Sequence, residues 1–287
     1  MFGRRSDGKL IKTIDPITKL MPHIMKERND AHVLAPMEVE CNGMDEWIFK
    51  ERRLGRRFTY MDLIVAALVR TLAIRPKLNR FVVNSRFYKR NKIQISFMIK
   101  KQLKDTAEEG AIKLTFDGTE TIYDIHARMQ KEIDDNAHLS SENDTDKLAK
   151  LLTIVPHFMI KGLVNFLMWL DRIGHLPKSV IDASPFHTSL FLTNMKSIKM
   201  GYVYHHIYNF GTCSVFLSMG KERYVPIVVD ADEEKLGIRK IITIGGAVDE
   251  RITDGLYNSN SIREFVKMLL NPSVLETPLE KREEDQE

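Results

Sequence analysis

The densest group of potentially reactive side chains lies near the end of the chain, between residues 249 and 255. This run reads Asp-Glu-Arg-Ile-Thr-Asp-Gly and places three carboxylates and one guanidinium within six residues. A carboxylate in a dry cavity can accept a proton from a reacting group, whereas a carboxylate paired with arginine only fixes a loop. Glu250 is open to both interpretations, because it stands directly beside Arg251.

Two neighbouring histidines, His205 and His206, are further candidates for a catalytic role. They lie in a Tyr-rich segment that is extended in pattern, and neighbouring side chains of a strand face opposite ways. At most one of the two can therefore enter a site, and a histidine among aromatic residues is more often packed than catalytic. His32 and His187 are weaker candidates of the same kind. No spacing of His, Cys or carboxylates is typical of a metal centre, so we predict no metal.

The elements around the 249–255 run indicate how it is positioned. A strand-like run at 240–245 precedes it, and an amphipathic helix from about Ser261 to Leu270 follows it and ends at Asn271-Pro272. Further strands are predicted at 93–100, 189–193, 214–219 and 225–229.

Helices are predicted where apolar residues recur at helical spacing behind a capping residue. Thr59 and Asp62 form such a cap before an apolar helix over 63–73, and Thr121 and Asp124 repeat it before a helix from about 121 to 135. The residues from 138 to 146 read as a loop, and 148–170 is helical in pattern with a break at Pro156.

These elements interleave without a regular βαβ rhythm, which favours an α/β fold with a mixed sheet. The 287 residues are more consistent with one domain than with two. We expect a single domain over residues 1–287, with an N-terminal arm of about residues 1–14 and a charged C-terminal tail of about residues 277–287.

Composition excludes several classes of protein. Apolar residues make up 43% and charged residues 29%, and the formal net charge is only +4, so the chain is neither disordered nor a polycation. Two distant cysteines do not form a disulfide framework. The N-terminus lacks an apolar signal core, and the most apolar window is too short to span a bilayer. We therefore predict a cytoplasmic protein that is not transmembrane.

The charges are nevertheless segregated along the chain. Between Leu63 and Lys104 there are eleven basic residues and no acidic one, and the next forty residues are rich in Asp and Glu. One interpretation is a site for a phosphate-bearing ligand or an acidic partner. The other is that the two stretches pack together and neutralise each other. No nucleic-acid motif accompanies the basic residues, so we expect no nucleic-acid partner.

The run from Asp249 to Gly255 resembles the D-H-R-x-x-D-G signature of the acyltransferase component of 2-oxoacid dehydrogenase complexes. Chloramphenicol acetyltransferase carries a related H-x-x-x-D-G. Upstream, Arg75-Pro76-Lys77-Leu78-Asn79 is similar to that family's P-x-L-N segment, and Leu192-Thr193-Asn194 to its hydroxyl-plus-Asn strand end. The segment from Met25 to Val33 is similar to its first helix and the turn that follows. The ordered set spans residues 15 to 276.

The resemblance implies a chloramphenicol acetyltransferase-like two-layer α/β sandwich with a mixed β-sheet, assembled as a homotrimer. It also implies an active site at the subunit interface, where coenzyme A or another acyl thioester is the substrate. By the same resemblance, Thr193 would support the oxyanion, with Asn194 beside it. Asp254 would fix the loop by holding an arginine, for which Arg28 is the candidate, and Arg251 is a further site residue.

The sequence departs from the family at the catalytic histidine, where it has Glu250. The pKa gap from a thiol is about 2 units to imidazole and about 4 units to an ordinary carboxyl. The difference is worth about 3 kcal/mol, or about a hundredfold in rate, unless burial raises the pKa of Glu250. The chain is then either a stand-alone acyltransferase with an atypical or impaired site, or a catalytically inactive trimeric member acting as a binding or scaffolding module.

Two other departures concern partners. The segment 156–176 is unusually rich in Phe, Leu, Met and Trp, which fits extra core, a trimer contact, a wall for an acyl chain or a peripheral membrane contact. No lipoyl-bearing segment is present, so we expect no lipoyl group on this chain. The charged residues 280–287 are poorly suited to the apolar anchor of cage-forming relatives, so we expect a trimer rather than a cage.

Overall fold

The structure is a computed structural model that describes residues 5–100, 109–137, 147, 154 and 156–287. In this part of the chain, seven strands form one large sheet and three short strands form a second sheet. The large sheet consists of β2 (His32–Glu40), β5 (Ile93–Lys100), β6 (Glu109–Phe116), β7 (Leu190–Asn194), β8 (Val215–Met219), β9 (Arg223–Asp230) and β10 (Lys235–Asp249). The small sheet consists of β1 (Gly8–Leu10), β3 (Arg80–Val83) and β4 (Arg86–Arg90).

Seven α-helices lie in the described residues, and four of them cover one face of the large sheet. The helices are α1 (Pro16–Ile24), α2 (Asn42–Arg53), α3 (Tyr60–Ile74), α4 (Ile122–Ala137), α5 (His157–Arg172), α6 (Lys178–Ala183) and α7 (Gly255–Leu270). Helices α2, α3, α4 and α7 join the sheet in one apolar core. Burial of this shared face holds the two layers together.

The large sheet is mixed, which confirms the predicted fold class. Its strand order is β2-β10-β8-β7-β5-β6, and β9 pairs with β10 outside this path. Strand β7 runs parallel to both β5 and β8, and the other pairs are antiparallel. Strand β10 extends well beyond the predicted 240–245 because it pairs with three strands, β9 along its first half and β2 and β8 along its second.

Helices α3 and α4 begin close to the positions that their predicted caps indicate, whereas α7 begins earlier than predicted. Before α3, the Thr59 N–H donates to the Asp62 carboxylate at 2.7 Å, and the box is completed by the Thr59 hydroxyl. Helix α7 begins at Gly255 instead of about Ser261, because the Asp254 carboxylate accepts the Tyr257 N–H at 2.8 Å and caps the helix there. The polar residues of its first turns hid this start from the apolar periodicity.

Of the predicted elements, one lies entirely and another partly outside the described residues. The loop at 138–146 lies outside them, and so does most of 148–155. The helix predicted over 148–170 is described from His157, directly after Pro156, and continues to Arg172 as α5. No helix in the described part of the chain is long and apolar enough to cross a membrane.

The charged tail lies against the body of the molecule. Arg80, which is 3% exposed, donates to the Asp285 carboxylate at 2.5 and 2.6 Å. The Glu283 N–H also donates to the Ala73 carbonyl at 3.0 Å. Within the described residues, the basic stretch thus takes its buried ion pair from the tail. Arg80 is therefore not paired with the acidic stretch that follows the basic residues, as mutual neutralisation of the two stretches would require.

Candidate active site

The 249–255 run stands where the long strand β10 ends and α7 begins. A single 3₁₀ turn, Glu250–Ile252, joins the two. The Asp249 N–H donates to the Ser214 carbonyl at 2.9 Å, and the Glu250 N–H donates to the Ala31 carbonyl at 2.9 Å. The loop is therefore tied on one side to the residue before β8 and on the other side to the residue before β2.

Asp249 is the electrostatic centre of this loop and is fully buried. The Arg251 Nε and Nη2 donate to its two carboxylate oxygens, both at 2.8 Å. The Arg28 Nε lies 3.7 Å from the same carboxylate. Burial lowers the pKa of Arg28, and the charge of Asp249 opposes that effect. One carboxylate thus balances two buried guanidinium groups.

Arg251 links this loop to the end of α1. Its Nη1 donates to the carbonyls of Met25 at 3.2 Å and Lys26 at 3.3 Å, and only 3% of the residue is exposed. Because its guanidinium nitrogens are all bonded to Asp249 or to these carbonyls, Arg251 has a positioning role in the loop.

The arginine-holding carboxylate is Asp249, and the predicted pairing of Arg28 with Asp254 is wrong in this structure. Asp254 is exposed and caps α7, and its pKa is lowered by the hydrogen bond from the Tyr257 N–H. Arg28 is held by backbone oxygens as well, with Nη1 donating to Gly211 at 2.8 Å and Nη2 to Val82 at 3.1 Å. The motif has an acid at each end, and the sequence alone did not reveal which one is buried.

A cavity of about 280 Å³ opens beside Glu250. It is lined by Thr18 and Met21 of α1, by the facing residues Val33 and Val248, and by the motif itself. The Glu250 side chain is exposed in the single chain, so this chain alone does not enclose it in a dry site.

Thr253 is a site residue that sequence reasoning missed. It lines the same cavity and is 8% exposed, and its hydroxyl has no hydrogen-bond partner among the described residues. A buried hydroxyl without a partner costs free energy in the folded state. The only sequence signal was its place inside the motif.

Thr193 lies far from Glu250 within one chain. Thr193 stands opposite Ser218 of β8, and Ser218 stands opposite Gly245 of β10. Glu250 is five residues beyond Gly245, so the spacings of strands and residues put Thr193 and Glu250 roughly 19 Å apart. The two predicted site residues are therefore at opposite ends of the sheet and do not meet in a single subunit.

The polar groups at the Thr193 end are partly engaged. The half-buried Thr193 hydroxyl donates to the Leu217 carbonyl at 3.4 Å, a long bond that leaves it largely free. The Asn194 Oδ1 accepts the Ser197 N–H at 3.1 Å and caps a 3₁₀ turn. Asn194 therefore has a local structural use in this chain.

The two adjacent histidines do not line the Glu250 cavity. The residues from 202 to 208 form no strand. Their side chains nevertheless alternate in exposure here, because His205 is half-buried and His206 is exposed. The His205 ring stacks on Phe216 with centroids 4.6 Å apart, and burial, aided by the charge of His206, lowers its pKa. Packing is the role that the structure gives His205.

A buried Ser-His-Asp group lies outside this cavity. The Ser184 hydroxyl is 2.8 Å from His187 Nδ1, and His187 Nε2 is 3.4 Å from the Asp171 carboxylate. These are the residue types of a nucleophilic triad, but the three residues are 1%, 0% and 7% exposed, so no substrate reaches the hydroxyl. Arg5 donates to Asp171 at 2.7 Å, and the group joins the end of α5 to the N-terminal arm.

This group predicts a pH dependence of stability. Burial lowers the pKa of His187, so the folded state resists a proton that the unfolded chain takes up near pH 6.5. Stability should fall as the pH drops from 7 to 5, by up to about 1.4 kcal/mol per pH unit. In His187→Gln this slope should shrink, while the exposed His175→Gln should keep it. Urea denaturation at pH 7, 6 and 5 checks this, and a flat wild-type profile would contradict it.

Asp171 adds a second loss of stability at lower pH. Burial alone would raise its pKa, but the neighbouring His187 imidazole and the charge of Arg5 lower it to about 2. Its contribution is complete above the unfolded pKa of about 3.9 and disappears as the pH falls towards 2.

Helix α5 does not supply extra core, which excludes one of the interpretations of the 156–176 segment. Asp171 is its only buried residue, and none of its apolar side chains belongs to a core cluster of the described chain. Phe158 is 82% exposed, and Phe166 and Trp169, which stack on each other, are 52% and 53% exposed. A contact with another subunit or with a membrane surface remains consistent with this face.

A polar cavity of about 320 Å³ lies between α1 and α5. His23, Lys26 and Arg172 line it, and Arg251 lines both this cavity and the one beside Glu250. The two cavities thus lie on either side of one buried arginine. No group of three or more His, Cys, Asp or Glu suited to a metal ion occurs in the part of the chain that the structure describes.

Comparison with solved structures identifies the fold. A probable dihydrolipoamide acetyltransferase from Listeria monocytogenes is 15% identical over 90% of this chain and 93% of its own, with a TM-score of 0.56. The Azotobacter vinelandii dihydrolipoamide acetyltransferase is 13% identical over 93% and 94%, also with a TM-score of 0.56. A chloramphenicol acetyltransferase is 12% identical over 91% and 99%, again with 0.56.

These likenesses show that the chain has the chloramphenicol acetyltransferase-like fold, as the motifs predicted. No family model matches the chain, and no curated protein sequence matches it. The resemblance is therefore visible in a few ordered motifs and in the backbone, and the overall sequence similarity is low.

Proposed function

We propose that this protein is an acyltransferase that moves an acyl group between a thioester, such as acyl-CoA, and an acceptor. The observation that carries the proposal is the loop at the end of β10. It brings Glu250, the unpartnered Thr253 hydroxyl and the N-terminus of α7 to one cavity, within a fold shared with two kinds of acetyltransferase. The buried Asp249 carboxylate fixes this loop.

In the proposed reaction, the Glu250 carboxylate accepts a proton from the acceptor as the acceptor atom bonds to the thioester carbonyl carbon. The carbon–sulfur bond then breaks, and the departing thiolate takes the proton from the Glu250 carboxyl. A hydroxyl donor stabilises the oxyanion of the tetrahedral intermediate. A carboxyl can perform both proton transfers if its pKa is raised in a dry site, which requires that a neighbouring subunit cover the exposed side chain.

We propose that the site is completed between subunits of a homotrimer. Thr193 and Glu250 are roughly 19 Å apart in one chain, so Thr193 can serve Glu250 only from another copy. In the Azotobacter vinelandii enzyme, a serine, a histidine and an asparagine have roles in catalysis, and the histidine and asparagine are four residues apart. Glu250 and Asp254 have that same spacing, and Thr193 is the hydroxyl residue matched by the upstream motif.

The ribbon formed by β9 and the first half of β10 supports assembly. Val228 and Leu236 stand opposite each other, as do Pro226 and Ile238, so these side chains share one face. Val228 is 60% exposed, Leu236 67% and Ile238 72%. A two-stranded ribbon with an exposed apolar face is marginally stable by itself, so contact with a second copy of this chain would stabilise it.

We propose that coenzyme A binds with its phosphates in the polar cavity between α1 and α5. Lys26 and Arg172 line this cavity and can meet its phosphates, and Arg251 stands between this cavity and the one beside Glu250 that would receive the thioester. Phosphate groups form their strongest contacts with such charged donors.

Titration calorimetry with coenzyme A and acetyl-CoA tests the proposal. We expect binding that weakens about tenfold in Lys26→Gln, because a charge-assisted hydrogen bond is lost. The matched control is Lys19→Gln on α1, the helix that ends just before Lys26; Lys19 lies outside both cavities, and this variant should bind as the wild type does. Release of free thiol from acetyl-CoA measures turnover. Failure of the wild type to bind coenzyme A at millimolar concentration would remove the proposal.

The alternative is a trimeric binding module without catalysis. The observation in its favour is that the Glu250 side chain is exposed in the single chain, at the position where the motif resemblance implies a histidine. This alternative predicts coenzyme A or partner binding without any release of thiol, whereas the acyltransferase proposal predicts both.

A further inference from the structure

An apolar crevice runs between α7 and the helix-facing side of β2 and β10. Its volume is about 50 Å³, and its deep end is formed by Met37, Leu72 and Phe265, which are 7%, 2% and 2% exposed. None of its lining residues carries a charge. Two hydroxyls along it are already used within their own helices, Thr71 on the Ala67 carbonyl and Ser261 on the Tyr257 carbonyl.

The crevice is continuous with the cavity beside Glu250. Val33, Val248 and Asn258 line both spaces. Val33 and Val248 face each other across β2 and β10, and Asn258 lies on the first turn of α7. These three residues form the mouth through which the polar cavity leads into the apolar crevice.

A glycine keeps the floor of the crevice open. A Cβ at Gly246 would lie 3.2 Å from Leu217 Cδ2, 3.3 Å from Met37 Cε and 3.3 Å from the Ala35 carbonyl oxygen. Any side chain at this position would push its neighbours into the space. An uncharged, narrow and flexible group is the kind of ligand that such a lining accepts.

We propose that this crevice holds the acyl chain of the transferred group, with the thioester carbonyl at the mouth beside Glu250 and the Thr253 hydroxyl. The inference rests on the proposed acyl transfer and names its substrate class. One ordered water needs about 10–15 Å³ by the same measure of volume, so the crevice accepts a linear chain of roughly four carbons. The enzyme then prefers butyryl thioesters, with four acyl carbons, both to acetyl thioesters and to long-chain acyl thioesters.

Affinity across an acyl-CoA series tests the crevice. Calorimetry with acetyl-, butyryl- and octanoyl-CoA should show butyryl-CoA binding about fourfold tighter than acetyl-CoA for each buried methylene, and octanoyl-CoA binding no tighter than butyryl-CoA. Val33→Phe, which closes the mouth, should remove the gain for butyryl-CoA. The matched control is Leu34→Phe, since Leu34 is equally exposed but faces the other side of β2.

A second measurement keeps the failure of the crevice separate from the failure of acyl transfer. The Met37 methyl group, observed by NMR in the intact protein, should shift when S-butyryl-N-acetylcysteamine is added, whether or not coenzyme A binds. Affinities that do not depend on chain length while coenzyme A still binds would overturn the crevice and leave acyl transfer standing. An unperturbed Met37 methyl at saturating thioester would also overturn it.

Discussion

Replacing Asp249 with asparagine is expected to lower the free energy of unfolding by about 3–5 kcal/mol. Asparagine has nearly the same shape, so the change removes charge and leaves the packing in place. Arg28 and Arg251, which are 5% and 3% exposed, would then be buried without a counter-ion. Urea denaturation of the purified variant measures this loss directly.

The matched control for this prediction is the same substitution at the other end of the motif, Asp254→Asn. Asp254 is exposed and caps α7, and asparagine is as good an N-cap as aspartate. That variant should lose less than about 0.5 kcal/mol. Equal losses in the two variants would show that Asp249 does not balance the two arginines.

Replacing Glu250 with glutamine is expected to reduce kcat/KM for acyl transfer by at least about a hundredfold, since the proton acceptor is removed. Coenzyme A affinity should be unchanged, because the carboxylate is not placed against the phosphates. The control is Glu264→Gln on α7, which lines neither cavity and should keep full activity. Unaltered turnover in Glu250→Gln would instead place the chemistry elsewhere.

Mixed assemblies of the proposed trimer test whether Thr193 and Glu250 act together from different subunits. Thr193→Val and Glu250→Gln should each be nearly inactive alone. Random co-assembly of the two variants leaves about a quarter of the sites with both residues intact. We therefore expect recovery of about a quarter of the wild-type turnover, and no recovery would mean that the two residues do not share a site.

Helix starts could be predicted from the sequence where adjacent residues determine them. The cap formed by Thr59 and Asp62 acts within one turn, so α3 could be predicted from adjacent residues. Asp254 also acts locally on α7, but its helix begins with polar residues, and apolar spacing placed the start six residues too late. Periodicity detects a buried face and fails where the first turns of a helix are exposed.

The partner of a buried charge depends on contacts between distant segments. The sequence offers Arg28 two acids in the same loop, Asp249 and Asp254, and the turn of the chain at Glu250–Ile252 buries the first and exposes the second. The same applies to Arg80, whose carboxylate comes from Asp285, about two hundred residues later. Sequence spacing carries no information about such pairs.

The sequence by itself determined the mixed α/β fold, the capped helices and the place of the acidic loop between a strand and the last helix, because these depend on short-range patterns and on ordered motifs. Only the tertiary structure decided that Thr193 and Glu250 lie at opposite ends of the sheet, that Asp249 balances two arginines, and that an apolar crevice opens beside Glu250. These facts depend on strand register and on packing between layers. Both are set by the whole chain and not by any single segment of it.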